Sequence, residues 1–185
     1  IRLVLKLLAD VGIVGFPNVG KSTFIATVSR ARPKVADYPF TTLVPNLGVV
    51  SLGIDRQFVI ADIPGIIEGA SEGAGLGLRF LKHVERTRVL LHMVSVDPDP
   101  ARDPLSDFDQ LMTELRRFDA SLLERPMLVA VSKCDLPEAE AAYEEVRAAL
   151  EPKGLAVFPI SSATGQGIAA LLEALEATLR RPGDD

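Results

Sequence analysis

The chain alternates short apolar runs with segments whose apolar residues recur at helical spacing. Most of the apolar runs lack polar alternation, which is typical of strands covered on both faces. These predicted strands span 10–15, 47–52, 57–62, 89–96, 127–132 and 155–161. Helical periodicity predicts helices over 21–30, 76–87, 104–118, 138–150 and 167–181.

Strands that alternate with helices of this length favour right-handed crossover connections and a parallel, doubly wound sheet. The second and third strands are too close for a helix between them, so 51–57 predicts a hairpin and one antiparallel edge strand. We therefore predict an α/β fold with a mainly parallel six-stranded sheet and helices on both faces. Residues 1–12 are interpreted as a strand that enters the core. Ligands of such sheets bind at the carboxyl ends of the strands.

Length and composition narrow the class of protein. The 185 residues, 48% of them hydrophobic, suit one domain over 1–185. A net charge of −5 argues against nucleic-acid or membrane binding through bulk electrostatics, so we expect neither a membrane nor sequence-specific nucleic acid as partner. A single Cys and no bilayer-length apolar run favour a cytoplasmic protein, which we expect to be a monomer. The missing initiator Met suggests a piece of a longer protein.

A phosphate-binding motif follows the first predicted strand. Residues 15–23, "GFPNVGKST", match G-x-x-x-x-G-K-[ST] between a strand and a helix. The glycines let backbone N–H groups surround phosphates, Lys21 reaches the β and γ oxygens, and Ser22 binds Mg²⁺. An ordinary Gly-containing turn is the alternative, and the strand-to-helix position argues against it.

Two further segments suit the same ligand. Asp62 begins "DIPG" at the end of the third predicted strand and would hold Mg²⁺ through water, while Gly65 leaves room for its N–H near a γ-phosphate. A simple turn is the alternative for this segment. Thr41 and Thr42, in "YPFTTLVPNLG", could sense the γ-phosphate and Mg²⁺ together, although a Thr pair alone is weak evidence.

The last two predicted strands end in residues that can recognise a base. "SKCD" follows the fifth and "SSATG" ends the sixth. The Asp135 carboxylate can accept from N1–H and the 2-amino group of guanine, and the N–H of Ser162 can donate to O6. Adenine offers neither pattern, so the sequence predicts guanine, with the stem of Lys133 along the ring.

Four stretches of the sequence resemble one protein family. "ADVGIVGFPNVGKST", "DYPFTTLVPNLGVV", "DIPGIIEGASEGAGLGLRFLKHVERT" and "RDPLSDFDQL" resemble the GTPase domain of the Obg family of bacterial ribosome-associated GTPases. The resemblance covers nearly the whole chain. It implies a P-loop NTPase of the Ras-like G-domain type, which binds GTP and GDP and hydrolyses GTP slowly with Mg²⁺. It also implies a switch that acts on the large ribosomal subunit, in its assembly or in stress control, and a glycine-rich domain preceding this one.

The resemblance also implies roles for single residues. Lys21, Thr42 and Gly65 would be catalytic, Ser22 and Thr42 would ligate Mg²⁺ with Asp62 bound through water, and Asn18 matches a K⁺-binding Asn of related GTPases. The residues expected around the nucleotide are Gly15, Phe16, Pro17, Asn18, Val19, Gly20, Lys21, Ser22, Thr23, Phe40, Thr41, Thr42, Leu43, Val44, Asp62, Ile63, Pro64, Gly65, Ser132, Lys133, Cys134, Asp135, Ser161, Ser162 and Ala163.

Two positions depart from what the resemblance implies. Ile66 stands where Ras-like switches have a water-orienting Gln, so intrinsic hydrolysis should be slow. Ser132 stands where the family motif has Asn, and its hydroxyl is shorter than a carboxamide. We expect both the bond to guanine N7 and the tie to the P-loop to be weaker or water-mediated. Asp135 should keep the specificity for guanine, with some loss of affinity.

Other interpretations stay open. The domain could be a sensor of GDP, GTP or the alarmone ppGpp in which binding carries the signal; a small-molecule kinase leaves Asp135 unexplained and lacks an Arg-rich lid segment. Arg79, Lys82 and Arg86 are either a basic face for an acidic or RNA partner or a solvated helix face. Cys134 is interpreted as a neutral spacer rather than a redox-sensitive thiol, and His92 as a core or strand-edge residue.

Overall fold

A computed structural model describes residues 9–30, 34–35, 46–63, 87–96, 99 and 101–181, with the backbone alone at 34–35. Its strands are β1 Val11–Val14, β2 Lys34–Val35, β3 Asn46–Ser51, β4 Gln57–Asp62, β5 Val89–Val94, β6 Met127–Val131 and β7 Ala156–Pro159. Its helices are α1 Lys21–Val28, α2 Pro104–Phe118, α3 Pro137–Leu150 and α4 Ile168–Leu179, with short 3₁₀ turns at 120–124 and 151–153.

The strands form one sheet in the order β2-β3-β4-β1-β5-β6-β7. β3 is antiparallel to both of its neighbours. The five strands β4, β1, β5, β6 and β7, adjacent in that order, pair in parallel. The predicted fold class is confirmed. The sheet has seven strands and not the six predicted, because the two residues of β2 carry no periodicity and were missed. With β2 at the edge, the antiparallel strand β3 is next to the edge and is not the edge strand itself. The predictions for 1–8 and for a helix over 76–86 lie outside the described residues.

The core explains why the apolar runs lack polar alternation. Every residue of β1 and β5 is buried, because helices cover the sheet on both faces. α1 and α4 pack on one face, around Phe24 and Leu175, and α2 and α3 pack on the other. Burial of one such side chain contributes ~1.5–3 kcal/mol, so the two covered faces hold the central strands firmly.

The start of α2 shows local sequence chemistry at work. The Asp103 carboxylate accepts from Ser106 N at 2.8 Å, and Pro104 occupies the first helical turn, where no backbone donor is needed. This N-cap fixes the helix start beside the carboxyl end of β5.

Strand direction determines where polar residues gather. β1, β4, β6 and β7 run in parallel, so the residues that follow them meet at one edge of the sheet. Within the described part of the chain, no helix combines the length and the apolar character needed to cross a membrane.

Candidate nucleotide-binding site

The loop between β1 and α1 turns sharply through left-handed backbone. Asn18 has φ 66° and Gly20 has φ 100°, and Gly20 is the N-cap of α1. At Gly15 a Cβ would lie 2.6 Å from the Met93 carbonyl oxygen, so this position admits no side chain. Gly20 has no side chain with which to cap the helix. The tight loop therefore presents the positive end of α1 to an anion.

Lys21 extends back over this loop. Its Nζ donates to the carbonyl oxygens of Gly15 and Phe16, both at 2.9 Å. These bonds hold the ammonium above the loop, where phosphate oxygens would meet both its charge and the helix N-terminus.

Asp62 and Ser22, which were predicted to serve one Mg²⁺, lie together. Ser22 Oγ donates to Asp62 Oδ2 at 3.4 Å, and Asp62 Oδ1 is buried with no hydrogen-bond partner among the described residues. Burial raises the pKa of the Asp62 carboxyl, although Lys21 and Ser22 act to lower it. Hard oxygen ligands beside an unsatisfied buried oxygen fit Mg²⁺, which usually takes few protein ligands and completes its shell with water and phosphate.

Two side chains connect residues 132–135, the predicted base-recognition segment, to the P-loop at 15–23. Ser132 Oγ donates to the Val19 carbonyl at 2.5 Å across 113 residues of sequence, and Lys133 Nζ donates to the Asn18 carbonyl at 2.9 Å. The expectation of a weakened or water-mediated tie to the P-loop is thus wrong. Hydrogen bonding of Ser132 N to the Val94 carbonyl at 2.9 Å brings the strand end close enough for a short side chain to reach.

The Asp135 carboxylate is oriented by a buried neighbour. Ser161 Oγ donates to Asp135 Oδ1 at 2.7 Å and accepts from Thr164 N at 3.2 Å. Ser161 is buried, whereas Asp135 is exposed and Ser162 half-buried. Ser161 was predicted to touch guanine; in the structure it positions the residue expected to do so.

The loop from Ser161 to Gly167 packs closely on the end of β7. Ser161 N donates to the Gln166 carbonyl at 2.9 Å. Gly167 has φ 72°, and a Cβ there would lie 1.9 Å from the Pro159 carbonyl oxygen. Sequence reasoning missed Gln166 and Gly167, because neither belongs to a recognisable motif. The one signal was that Gly167 directly precedes a helix.

Arg102 and Asp107 support the P-loop from outside, a role that the sequence did not reveal. The Arg102 guanidinium lies 4.6 Å from the centroid of the Phe16 ring and pairs with the Asp107 carboxylate at 2.5 Å. Cation–π contact and a largely buried ion pair thus link the P-loop to the first turn of α2. The signal available was the "RDPLSDF" stretch, which holds both members of the ion pair, but the contact of Arg102 with Phe16 could not be predicted before the topology was known.

The interpretations of Cys134 and His92 agree with their surroundings. Cys134 is buried, and burial raises the pKa of its thiol, which favours an inert spacer over a redox-sensitive group. His92 is fully buried and stacks on Phe108 with ring centroids 4.5 Å apart. Burial, with a smaller contribution from Lys21, lowers the pKa of His92 to about 3, so the ring is neutral.

Several predicted residues lie outside the described part of the chain. They are the switch residues Phe40, Thr41, Thr42, Leu43, Val44, Pro64 and Gly65, together with Ile66, Arg79, Lys82 and Arg86. The described P-loop and base-recognition residues converge on one edge of the sheet, as the strand order requires.

Comparison with known proteins places this arrangement in a family. The family described as "50S ribosome-binding GTPase" matches residues 10–133. GTPase Obg of Symbiobacterium thermophilum is 59% identical over 179 residues, covering 97% of this chain and 42% of that protein. GTPase Obg of Myxococcus xanthus is 56% identical over 180 residues, covering 97% and 37%. The chain thus spans about two fifths of the length of these relatives.

Solved structures support the fold. The G domain of the Thermotoga maritima iron transporter FeoB superposes with a TM-score of 0.66 at 19% identity, covering 92% of this chain and 98% of that one. A variant of Aquifex aeolicus Era bound to GDP.AlF4- gives a TM-score of 0.65 at 23% identity, covering 95% and 58%. At such identities the likeness concerns the fold alone, and it confirms the predicted P-loop G-domain architecture. On the match over residues 10–133, the chain belongs to the family of 50S ribosome-binding GTPases, and its predicted resemblance to the Obg family is confirmed.

Proposed function

We propose that this domain binds GTP and GDP and hydrolyses GTP slowly, as a nucleotide-controlled switch. The observation that carries this proposal is the pair of hydrogen bonds from Ser132 and Lys133 to the P-loop carbonyls of Val19 and Asn18. They join a phosphate-binding loop and a base-recognition segment in one unit. With Asp135 oriented by Ser161, that unit has the chemistry to hold both ends of a guanine nucleotide.

Phosphate binding falls to the P-loop. The ammonium of Lys21, held over the loop by two carbonyls, is placed to transfer its hydrogen bonds to β- and γ-phosphate oxygens. Ser22 and Asp62 would hold Mg²⁺, which when bound neutralises developing charge on the phosphates. The unsatisfied Asp62 Oδ1 supports this assignment.

Hydrolysis in this proposal rests on positioning and charge. Lys21 stabilises charge on the transferred phosphoryl group, and Thr42 and Gly65 position the γ-phosphate and the attacking water. Ile66 cannot orient water, so the intrinsic rate is slow and a partner accelerates it.

Asn18 is the proposed site of K⁺ activation. The residue is exposed on the left-handed turn of the P-loop, beside the phosphate position. GTP turnover should be faster in K⁺ than in Na⁺ at equal ionic strength, and Asn18→Ala should abolish the difference. Equal turnover in both salts would remove this part of the proposal.

The cellular role is proposed from the family. The GTP form acts on the large ribosomal subunit, in its assembly or in stress control, and hydrolysis releases the domain; the protein works as a cytoplasmic monomer. The family description names 50S binding, and the net charge of −5 adds no independent support. Cosedimentation of the GTP-loaded and GDP-loaded full-length protein with 50S subunits tests this role, since equal binding in both states contradicts a switch.

A sensor of GDP, GTP or ppGpp is the second candidate, favoured by Ile66 at the water-orienting position. Turnover distinguishes the two proposals. Strong acceleration of turnover by K⁺ or by 50S subunits supports a GTPase switch. If K⁺ and 50S subunits both leave turnover unchanged and ppGpp binds tightly, a sensor is supported.

The first experiment is displacement of a fluorescent GDP analogue by GTP, GDP and ATP, with Mg²⁺ and K⁺ present. Guanine nucleotides should displace the analogue and ATP should not. Asp135→Ala should lose this selectivity, while Asp103→Ala, which removes a helix N-cap and no expected base contact, should keep it. Comparable competition by ATP would replace the proposal with a general P-loop nucleotide enzyme.

A further inference from the structure

The Ser132 hydroxyl has one proton, and the structure shows where it goes. Ser132 is 4% exposed, and its Oγ donates to the Val19 carbonyl at 2.5 Å. A carboxamide at the same position has two N–H donors and could serve the P-loop and a second acceptor together. Ser132 therefore has no proton left for a ligand acceptor while this bond persists.

Two neighbouring backbone donors and one side-chain donor are engaged as well. Ser132 N donates to the Val94 carbonyl at 2.9 Å, and Cys134 N donates to the Ile160 carbonyl at 3.0 Å. Lys133 Nζ is drawn to the Asn18 carbonyl at 2.9 Å. These donors at the end of β6 thus already have protein acceptors.

The geometry of guanine places N7 at this point. In the proposed function, on which this inference rests, Asp135 faces N1 and the 2-amino group, Ser162 N–H faces O6, and the sugar on N9 leads to the P-loop. N7 lies between O6 and N9 on the ring, so it faces the region between the Ser162 loop and the P-loop. Ser132 occupies that region, 4.0 Å from the place of a Cβ on Gly20.

We propose that this domain does not read guanine N7 and binds nucleotides of 7-deazaguanine as well as those of guanine. Ser132 acts as a positioning residue that fixes the P-loop, and selection of the base rests on Asp135 and Ser162. A C–H in place of N7 meets the lone pairs of Ser132 Oγ and leaves no donor unsatisfied. An Asn at this position would direct an N–H at that C–H and lose a hydrogen bond.

The test compares displacement of a fluorescent GDP analogue by GDP and by 7-deaza-GDP. On the unaltered protein the two inhibition constants should agree within about twofold, because no hydrogen bond differs between the two ligands. In Ser132→Asn, GDP should bind more tightly than in the parent, and 7-deaza-GDP should bind about three- to tenfold more weakly than GDP, the effect of one neutral hydrogen bond.

Ser132→Ala separates positioning from base contact. Loss of the P-loop tie should weaken GDP and 7-deaza-GDP by the same factor, so that their ratio stays near one. Thermal melts without nucleotide confirm that each variant is folded, and the unaltered protein with Ser132→Ala decides the question if Ser132→Asn does not fold.

Failure of this inference is distinct from failure of the proposed function. If GDP does not displace the analogue, the proposed function is wrong. If GDP displaces it and 7-deaza-GDP binds more than about fivefold more weakly to the unaltered protein, N7 is read, directly or through water, and the inference is overturned. A ratio that falls towards one in Ser132→Ala would identify Ser132 as the reader.

Discussion

Asp62 should lower the stability of the nucleotide-free protein in return for metal binding. One carboxylate oxygen takes a 3.4 Å bond from Ser22 Oγ, and the other is buried without a partner in the described part of the chain. Asp62→Asn keeps the shape of the side chain and removes its charge. The variant therefore relieves the burial of an ionised group and removes the proposed Mg²⁺ ligand.

The expected magnitude follows from the unpaired oxygen. A buried polar group left without a partner costs ~1–3 kcal/mol, and more when it is charged. Lost attraction to Lys21 offsets part of the gain, so we expect the free energy of unfolding to rise by about 1 kcal/mol, or about 2–4 °C in Tm for a domain of this size. Mg²⁺-dependent tightening of GTP binding should be lost in the same variant.

Asp103→Asn is the matched control. It makes the same chemical change at a carboxylate that accepts from Ser106 N at 2.8 Å, and Asn caps helices about as well as Asp. Thermal unfolding followed by circular dichroism should show little change in Tm, and fluorescent GTP titrations should keep their Mg²⁺ dependence.

The pH dependence gives a second readout. Burial raises the pKa of Asp62 above its ordinary value of 3.8, so the folded state keeps the proton to a higher pH than the unfolded state. Stability from this group is therefore present below pH 3.8 and is lost as pH rises through the raised pKa. The advantage of Asp62→Asn should be largest at neutral pH and shrink as pH falls towards 3.8. A variant less stable than the parent at neutral pH, or a pH-independent gap, would refute the reasoning.

Three other substitutions test the base site and the core. Asp135→Asn should weaken GDP at least about a hundredfold and favour xanthine nucleotides, whose C2 oxygen accepts from the carboxamide; unchanged preference in the displacement assay contradicts this role. Gly167→Ala puts a Cβ 1.9 Å from the Pro159 carbonyl oxygen at φ 72°. It should lower the free energy of unfolding by at least about 3 kcal/mol, against ~1–2 kcal/mol for Gly165→Ala, and equal losses in denaturant melts would argue against the close contact. Gly165 is a fair control because its φ is 83° and an added Cβ meets no described atom within 4 Å. His92→Phe removes two ring nitrogens that have no hydrogen-bond partner among the described residues. Because the pKa of His92 is lowered from 6.5 to about 3, the parent should lose stability as pH falls below 6.5, and the variant should lose less. Equal acid sensitivity of the two proteins would contradict this expectation.

Much of the fold could be predicted because its signals are local. The limits of β4 and α2 agree with the predicted 57–62 and 104–118. An uninterrupted apolar run reports burial on both faces, and Asp103 with Pro104 marks a helix start through bonds within one turn. β2 could not be found in this way, because its two residues show no periodicity. They are a strand only through their pairing with β3, which is a tertiary contact.

The residue types of the candidate site were also readable from local sequence. The P-loop, the Asp that closes β4 and the Asp of "SKCD" each follow a strand, and parallel strands bring their carboxyl ends to one edge. From its length alone, the Ser132 side chain was expected to bond to the P-loop weakly or through water. That expectation was wrong, because its hydroxyl donates directly to the Val19 carbonyl. The deciding quantity was the distance from Ser132 to the Val19 carbonyl, which the packing of β6 beside β5 sets.

Local pattern, then, was enough to predict most of the described elements and to propose the chemistry at their ends, since periodicity, capping and motif spacing act over a few residues. The hydrogen-bond partners needed the folded chain. Val19 and Ser132 are 113 residues apart in sequence, and Asp135 and Ser161 are 26 apart. Which donors meet which acceptors across such distances depends on strand order and on how closely the helices press the sheet. That is why the single proton of Ser132 could be assigned from the tertiary structure and not from the motif that contains it.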